Sequence, residues 1–156
     1  MAISVPIELG YEFEVKSSYK EVFAVLSDVP TSVSHFPKVD RLVDEGGGVY
    51  RWEMKKVGVG SIGLQTVYAS KYVSDAKKGS VVWTPVKGVG NAQVGGSWTL
   101  KDNRKSTALE LKIAGTVDVP APALMKSMIS PMVVSEFEGL VDQYVENLVK
   151  AFGGEA

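Results

Sequence analysis

The chain has 156 residues, 45% of them hydrophobic, and a formal net charge of −1 from 17 basic and 18 acidic side chains. This balance gives no positive surface of the kind that binds nucleic acid or anionic lipid, so neither is expected as a partner. The absence of cysteine excludes disulfides, thiolate metal ligands and cysteine nucleophiles. No apolar run is long enough to span a bilayer, and the first 15 residues lack the basic start of a secretion signal. We therefore expect one soluble domain over residues 1–156, located in the cytoplasm.

The N-terminal third changes its pattern from strand to helix. Residues 11–16 alternate between apolar and charged side chains, which predicts a half-buried strand. Ser18 and Glu21 then have the spacing of a capping box, and apolar residues follow at helical spacing. Because proline cannot continue a helix, this first helix is expected to end near Asp28. A second short helix is predicted over residues 30–35.

The middle of the chain, residues 38–119, consists of alternating apolar segments separated by turn residues. Glycine-rich turns at 46–48 and 58–60 and a polar loop at 102–105 are among these separators. Six strands at this spacing predict an antiparallel meander. One long strand is expected to carry four residues on one face: Ile62, Leu64, Thr66 and Tyr68.

The C-terminal segment has apolar residues at spacings of three and four from Met125 to Phe152, which predicts one long amphipathic helix beginning at Pro122. Pro131 is expected to kink this helix, because it removes one backbone hydrogen bond. A sheet that is polar on one face must bury the other face, and only this helix is long enough to cover it. The predicted fold is therefore α+β, with about seven antiparallel strands curved around the helix and two short helices after the first strand.

The residues predicted to face inward include many large side chains. Rigid aromatic rings together with flexible thioethers suit the wall of an adaptable apolar cavity. The same side chains can equally fill an ordinary core, so either interpretation stays open. The inward set comprises Tyr50, Trp52, Tyr68, Trp83 and Trp98 on the strands and Met125, Met128 and Met132 on the helix.

With this order of elements the chain resembles the START-like superfamily, also called SRPBCC, whose members share the helix-grip fold. The resemblance extends over roughly residues 3–152. Its most telling parts are the segments YEFEVKSSYKEVFAVLSDV and PAPALMKSMISPMVVSEFEGLVDQYVENLVKAF. The pattern S-x-x-x-V-F-x-x-L-x-D of this group is matched by Ser18, Val22, Phe23, Leu26 and Asp28. These motifs specify a fold much better than a function.

The superfamily includes polyketide cyclases and aromatases, lipid-transfer domains, plant pathogenesis-related allergens, coenzyme Q-binding proteins and a maturation protein of carbon monoxide dehydrogenase. The resemblance implies that a small hydrophobic molecule (a lipid, a quinone or a polyketide-like compound) binds between the sheet and the start of the long helix. Two alternatives stay open: an enzyme of the cyclase, aromatase or dehydratase type, and an accessory protein that helps another enzyme to mature. No cofactor and no metal is expected, and the oligomeric state is left undetermined.

The predicted ligand-binding residues combine the inward aromatic side chains with the start of the long helix and its neighbourhood. They are His35, Phe36, Trp52, Tyr68, Trp83, Trp98, Met125, Met128, Ile129 and Met132. No residue is assigned a catalytic role. If the protein is an enzyme, the first residues to mutate are Tyr68, Arg41 and His35.

Four further features have competing interpretations. Residues 58–63 match G-x-G-x-x-G, but a strand pattern follows instead of the helix that a dinucleotide site needs, so a hairpin turn is expected.

His35 is the single histidine, which excludes multi-histidine zinc sites and favours a surface or capping role over a general base. Arg41 and Asp118 have ambiguous parity and are expected to point outward, because an unpaired charge in an apolar cavity is costly. The alternate residues at 66–72 are either ligand-orienting polar groups or a mixed strand surface.

Overall fold

A computed structural model describes residues 3–59 and 62–156 of the chain. The elements in chain order are β1 (Ile3–Val15), α1 (Tyr19–Ser27), α2 (Val29–Val33), β2 (Val39–Gly46), β3 (Val49–Met54), β4 (Val57–Val59), β5 (Ile62–Leu64), β6 (Val67–Asp75), β7 (Ser80–Pro85), β8 (Ala92–Asp102), β9 (Thr107–Val119) and α3 (Lys126–Ala151), which a 3-10 turn (Ala123–Met125) precedes. Within the described ranges, no helix has the length and apolar character needed to cross a bilayer.

Seven of the strands form one antiparallel sheet in the order β1-β9-β8-β7-β6-β3-β2. The alternation of apolar and polar residues gives the sheet one buried face, and α3 packs across that face against β1. The two short helices follow β1 and close one side of the space between sheet and helix. The predicted helix-grip α+β fold is confirmed.

The first short helix begins where the sequence predicts, and the second begins one residue earlier, at Val29. The Ser18 hydroxyl accepts a hydrogen bond from the Glu21 backbone N–H at 3.3 Å, which caps α1 as the spacing of the two residues indicates. α2 carries Pro30 in its first turn and ends at Val33, two residues earlier than predicted. The chain leaves the helix as it approaches Pro37, and His35 therefore lies in the connection to β2.

The single long strand predicted from residue 62 onward is instead two strands. β5 ends at Leu64 and pairs only with β4, while β6 begins at Val67 and joins the main sheet. Gln65 and Thr66 separate them, and the Thr66 carbonyl accepts a hydrogen bond from the Met54 N–H at 2.9 Å. In the G-x-G-x-x-G segment, Gly60 and Ser61 lie outside the described residues. The flanking strands β4 and β5 pair antiparallel, as in a hairpin, and the next element is the strand β6 and not a helix.

A loop residue that the sequence does not single out positions β6. The Asn91 side chain accepts a hydrogen bond from the Val67 N–H at 2.8 Å and donates to the Gln65 carbonyl at 3.0 Å. Its own carbonyl accepts from the Asp118 N–H at 2.7 Å, so Asn91 links β6 to β9. The preceding Gly90 has a positive φ of 66°, and a Cβ there would lie 1.9 Å from the Val67 carbonyl oxygen. Only glycine fits this close approach.

The first two turns of α3 bury a narrower stripe than the sequence predicts. Ile129 and Val133 are buried in the core, whereas Met128 and Met132 are 57% and 40% exposed. Each methionine precedes a buried residue by one position, which is about 100° around the helix. At this end of α3 only one side of the helix meets the sheet, so the methionines face solvent. This corrects their expected inward orientation.

Candidate ligand cavity

A largely enclosed cavity lies between the inner face of the sheet, the α1–α2 corner and the middle of α3. Its volume, counted as the space open to the centre of a water molecule, is about 70 Å³. The aromatic residues in its wall are Phe36, Trp52, Tyr68, Tyr72, Trp83, Trp98, Phe137 and Tyr144. Because the chain has three tryptophans, all of its indole rings lie in this wall.

The sheet side of the cavity is a set of stacked rings fixed by strand register. Trp52 and Tyr68 are opposite each other on β3 and β6, and their rings stack with centroids 5.4 Å apart. Tyr72 stacks in the same way on Trp83 of β7, at 5.6 Å. The Trp52 Nε1–H donates to the Tyr72 hydroxyl at 3.0 Å, which joins the two stacks. Cross-strand pairing of large rings stabilises this wall.

The opposite side of the cavity is closed by Phe36, in the connection between α2 and β2. Its ring packs edge-on against Trp52, with ring centroids 5.2 Å apart, and against Tyr144 of α3, with centroids 5.0 Å apart. The connection is fastened to α3 by two contacts: the Asn147 amide donates to the His35 carbonyl at 2.8 Å, and Lys38 pairs with Glu136 at 3.2 Å. The ring of Phe36 is therefore held over the cavity from two sides.

Phe36 also borders a groove on the outside of the molecule. This groove runs between α2 and β2–β3, and its wall shares Phe36 and Val33 with the inner cavity. The two spaces are thus separated by a single layer of side chains.

The cavity wall is apolar with a few uncharged polar groups. Within the described residues, no Asp, Glu, Lys, Arg or His side chain lines it. Four hydroxyls do, those of Ser32, Tyr68, Tyr72 and Tyr144. The Ser32 and Tyr144 oxygens are 2.5 Å apart and share one hydrogen bond. The site can therefore offer hydrogen bonds to a bound molecule but no full charge.

Burial raises the pKa of the three tyrosines in the wall. The pKa of Tyr144 rises to about 12, and hydrogen bonding with Ser32 and Trp98 limits that rise. Burial likewise raises the pKa of Tyr72 and, well above its ordinary value, that of Tyr68. Desolvation disfavours the phenolate, so these three phenols keep their protons at neutral pH.

These shifts predict a loss of stability in alkali. An unfolded tyrosine deprotonates near pH ~10, whereas folded Tyr144 keeps its proton until about pH 12. Its contribution is fully present below pH ~10 and is lost as the pH rises from about 10 to 12, because only the unfolded state releases the proton. The free energy of unfolding should therefore fall over this range, and that of Tyr144→Phe should fall less steeply. Urea denaturation from pH 8 to 11.5 measures this free energy. If it stays constant above pH 10, the phenols are not buried in the folded state as the structure places them.

The ten predicted ligand-binding residues divide into two groups in the structure. Those that line the cavity are Phe36, Trp52, Tyr68, Trp83 and Trp98. Those that do not line it are His35, Met125, Met128, Ile129 and Met132. Whether any of the ten contacts a ligand stays a prediction.

The second group lies elsewhere for identifiable reasons. His35 is half-buried in the connection fastened to α3, and Ile129 is buried in the core with Val5 and Val119. Met125 packs at the edge of that core, while Met128 points to solvent. The helix wall of the cavity is formed by residues 137–144, more than two turns after the start of α3.

Several lining residues are not among those that the sequence predicts for the site. Phe137, Val141 and Tyr144 stand out in the sequence only as members of the apolar stripe of the helix. Ser32 and the α1–α2 residues around it give no sequence signal for a cavity wall. Arg41 and Asp118 are both exposed, as expected from the cost of burying a charge.

No family model matches the chain, and no curated protein matches it. Solved structures do match it. The Zhui aromatase/cyclase from Streptomyces sp. R1128 is 16% identical, with a TM-score of 0.63 over 94% of this chain and 91% of that chain. A START superfamily protein from Mycobacterium smegmatis is 13% identical, with a TM-score of 0.63 over 92% and 97%. A conserved protein from Geobacillus kaustophilus is 14% identical, with a TM-score of 0.67 over 97% and 95%.

The sheet, the long helix and the space between them define a helix-grip protein with an enclosed apolar cavity. The matches to solved structures identify the fold further as the START-like, or SRPBCC, fold. At these low identities the likeness is one of fold, and function has to be argued from the cavity itself.

Proposed function

We propose that this protein binds a small, largely apolar molecule of the lipid, quinone or polyketide type in the cavity between the sheet and α3. The observation that carries the proposal is the enclosed aromatic cavity without charged side chains in the described wall. Ligand sites are typically concave, mostly apolar and equipped with a few polar groups, and this wall has that composition. An ordinary core is close-packed and leaves few voids larger than a water molecule.

The size of the cavity sets a condition on the ligand. The space of about 70 Å³ corresponds to roughly five to seven water positions, at ~10–15 Å³ for each. This suits a molecule of one ring in the closed state. A longer lipid or polyketide needs part of the wall to move, and the single layer formed by Val33 and Phe36 is where the cavity lies nearest to the outer groove.

Native mass spectrometry of the freshly purified full chain tests the proposal. We expect a species heavier than the bare chain, and solvent extraction should release an apolar compound from it. Toluene serves as a one-ring apolar probe, and its binding should shift the three indole N–H signals in a ¹H–¹⁵N spectrum. A bare mass together with no toluene-induced shift would count against the proposal.

A second candidate is an enzyme of the cyclase, aromatase or dehydratase type. It is favoured by the phenols of Tyr68, Tyr72 and Tyr144, which retain protons inside an apolar cavity and can act as donors to a reacting oxygen. One protein of the same fold is an aromatase/cyclase. Under this candidate Tyr68→Phe should slow turnover of a linear poly-ketone by about 10²-fold or more. Unchanged turnover would remove Tyr68 from a catalytic role.

A further inference from the structure

The charge of the cavity wall restricts the charge of the ligand. No charged side chain of residues 3–59 or 62–156 lines the cavity. A carboxylate or ammonium group placed there would lose its water and gain no opposite charge, which is strongly unfavourable. A molecule that fits inside the closed cavity is therefore uncharged.

The hydroxyls of the wall differ in whether they have partners. Ser32 and Tyr144 bond each other, and Tyr72 accepts a hydrogen bond from Trp52. Tyr68 is 7% exposed, and among the described residues its hydroxyl has no hydrogen-bond partner. The one fully enclosed side-chain polar atom without a partner in the described ranges is the Ser130 Oγ, so the Tyr68 oxygen faces open space. That space is the cavity that Tyr68 lines.

The ring that carries this hydroxyl is held in place. Tyr68 stacks on Trp52 at an interplanar angle of 18°, and Trp52 is itself fixed by its hydrogen bond to Tyr72 and by the edge of Phe36. Asn91 fixes the backbone of β6 through the adjacent Val67. A donor fixed before binding loses little freedom when it meets an acceptor, which favours ligands that place an oxygen at that point.

We infer that the cavity takes an uncharged ring compound bearing a carbonyl oxygen, and that this oxygen accepts a hydrogen bond from the Tyr68 hydroxyl. The inference rests on the proposed function, because it names the ligand class of the same cavity. The phenol can donate because a tyrosine hydroxyl is protonated at neutral pH. The aromatic stack contacts the ring of the ligand, and the volume suits a single ring.

Three one-ring probes of similar size test the inference: acetophenone, ethylbenzene and benzoate. Acetophenone carries a neutral carbonyl, ethylbenzene carries no polar group, and benzoate carries a charged carboxylate. Binding is followed in the full chain through the indole N–H signals of Trp52, Trp83 and Trp98, which all report on the cavity. We expect acetophenone to bind about tenfold more tightly than ethylbenzene, because a buried donor gains its partner, and benzoate to cause no saturable shift. The carbonyl ¹³C signal of bound, labelled acetophenone should lie further downfield in the wild-type chain than in Tyr68→Phe, because only the wild-type cavity donates a hydrogen bond to it.

Tyr68→Phe removes the hydroxyl and keeps the ring. In this variant the affinity for acetophenone should fall to that for ethylbenzene, while the affinity for ethylbenzene is retained. The matched control is Tyr19→Phe, which removes a hydroxyl that donates to the Ala76 carbonyl at the surface and should leave both affinities unchanged.

The outcomes separate the two proposals. Equal affinities of the wild-type chain for acetophenone and ethylbenzene, or a preference that persists in Tyr68→Phe, would overturn the Tyr68 inference and leave cavity binding intact. Benzoate binding as tight as that of acetophenone would overturn the assignment of an uncharged ligand. If neither neutral probe shifted the indole signals, the proposed function would fall as well. If Tyr68→Phe does not fold, equal affinities of the wild-type chain for the two neutral probes still overturn the Tyr68 inference.

Discussion

Val94→Phe is expected to weaken the binding of a one-ring apolar probe such as toluene by about tenfold or more, because the new ring occupies the space that the probe needs. Val94 lies on the inner face of β8 and lines the cavity, opposite Gly115 of β9. The added ring atoms would project into the void of about 70 Å³. The cost in folding free energy should not exceed the ~1–3 kcal/mol of overpacking a well-packed core, since the void accepts some of the added atoms.

The matched control for this variant is Met128→Trp, which also adds a ring. Met128 is exposed on the first turns of α3, so its enlargement should change neither the affinity for toluene nor the stability. Titration of the indole signals measures the affinity for toluene, and urea denaturation measures the free energy of unfolding. If Val94→Phe bound toluene as well as the wild-type chain, the probe would lie outside the cavity.

Phe36→Ala is expected to open the cavity to the outer groove and to speed both entry and release of a bound molecule. The Phe36 ring and Val33 form the layer that the two spaces share, and the ring packs against Trp52 and Tyr144. Because Phe36 is half-buried, the loss of stability should be about 2–3 kcal/mol, below the ~3–5 kcal/mol of a fully buried phenylalanine. Stopped-flow measurement of tryptophan emission gives the two rate constants.

Phe23→Ala is the control for Phe36→Ala. Phe23 is half-buried on α1, stacks on Tyr19 and does not line the cavity. Its removal should also cost stability, but it should leave the entry and release rates unchanged. Equal rates in the wild-type chain and in Phe36→Ala would show that molecules enter the cavity by another path.

The fold could be predicted because its signals are local. The capping box at Ser18, the alternating strands and the long apolar stripe of α3 each depend on residues close together in the chain. The break between β5 and β6 could not be predicted in this way. It depends on Met54 and Asn91, which are distant in sequence. The Met54 N–H donates to the Thr66 carbonyl, and the Asn91 amide donates to the Gln65 carbonyl.

The aromatic half of the cavity could be predicted from strand parity, because parity decides which side of a sheet a residue faces. Trp52 and Tyr68 follow that rule. The helix half could not, because a stripe at spacings of three and four does not say which part of a long helix covers an empty space. Met128 and Tyr144 both belong to the stripe, yet one is exposed and the other lines the cavity. Tertiary placement of α3 against β1 decides between them.

The structure was also needed to show that the Tyr68 hydroxyl has no hydrogen-bond partner among the described residues. Sequence parity leaves open whether the alternate residues at 66–72 orient a ligand or form a strand surface. Ser70 proves to be buried with its hydroxyl donating to the Val94 carbonyl at 2.8 Å, while Tyr72 accepts from Trp52. The assignment of hydrogen-bond partners depends on contacts between strands, which no local pattern contains.

A crystal structure determined under xenon pressure tests most directly whether the space between the sheet and α3 accepts a small apolar molecule. Xenon enters enclosed apolar cavities without needing a specific polar partner. We predict a xenon peak enclosed by Trp52, Trp98 and Val141, and its loss in Val94→Phe. A wild-type crystal with no xenon between the sheet and α3, and with side chains filling that space, would contradict the proposed binding site.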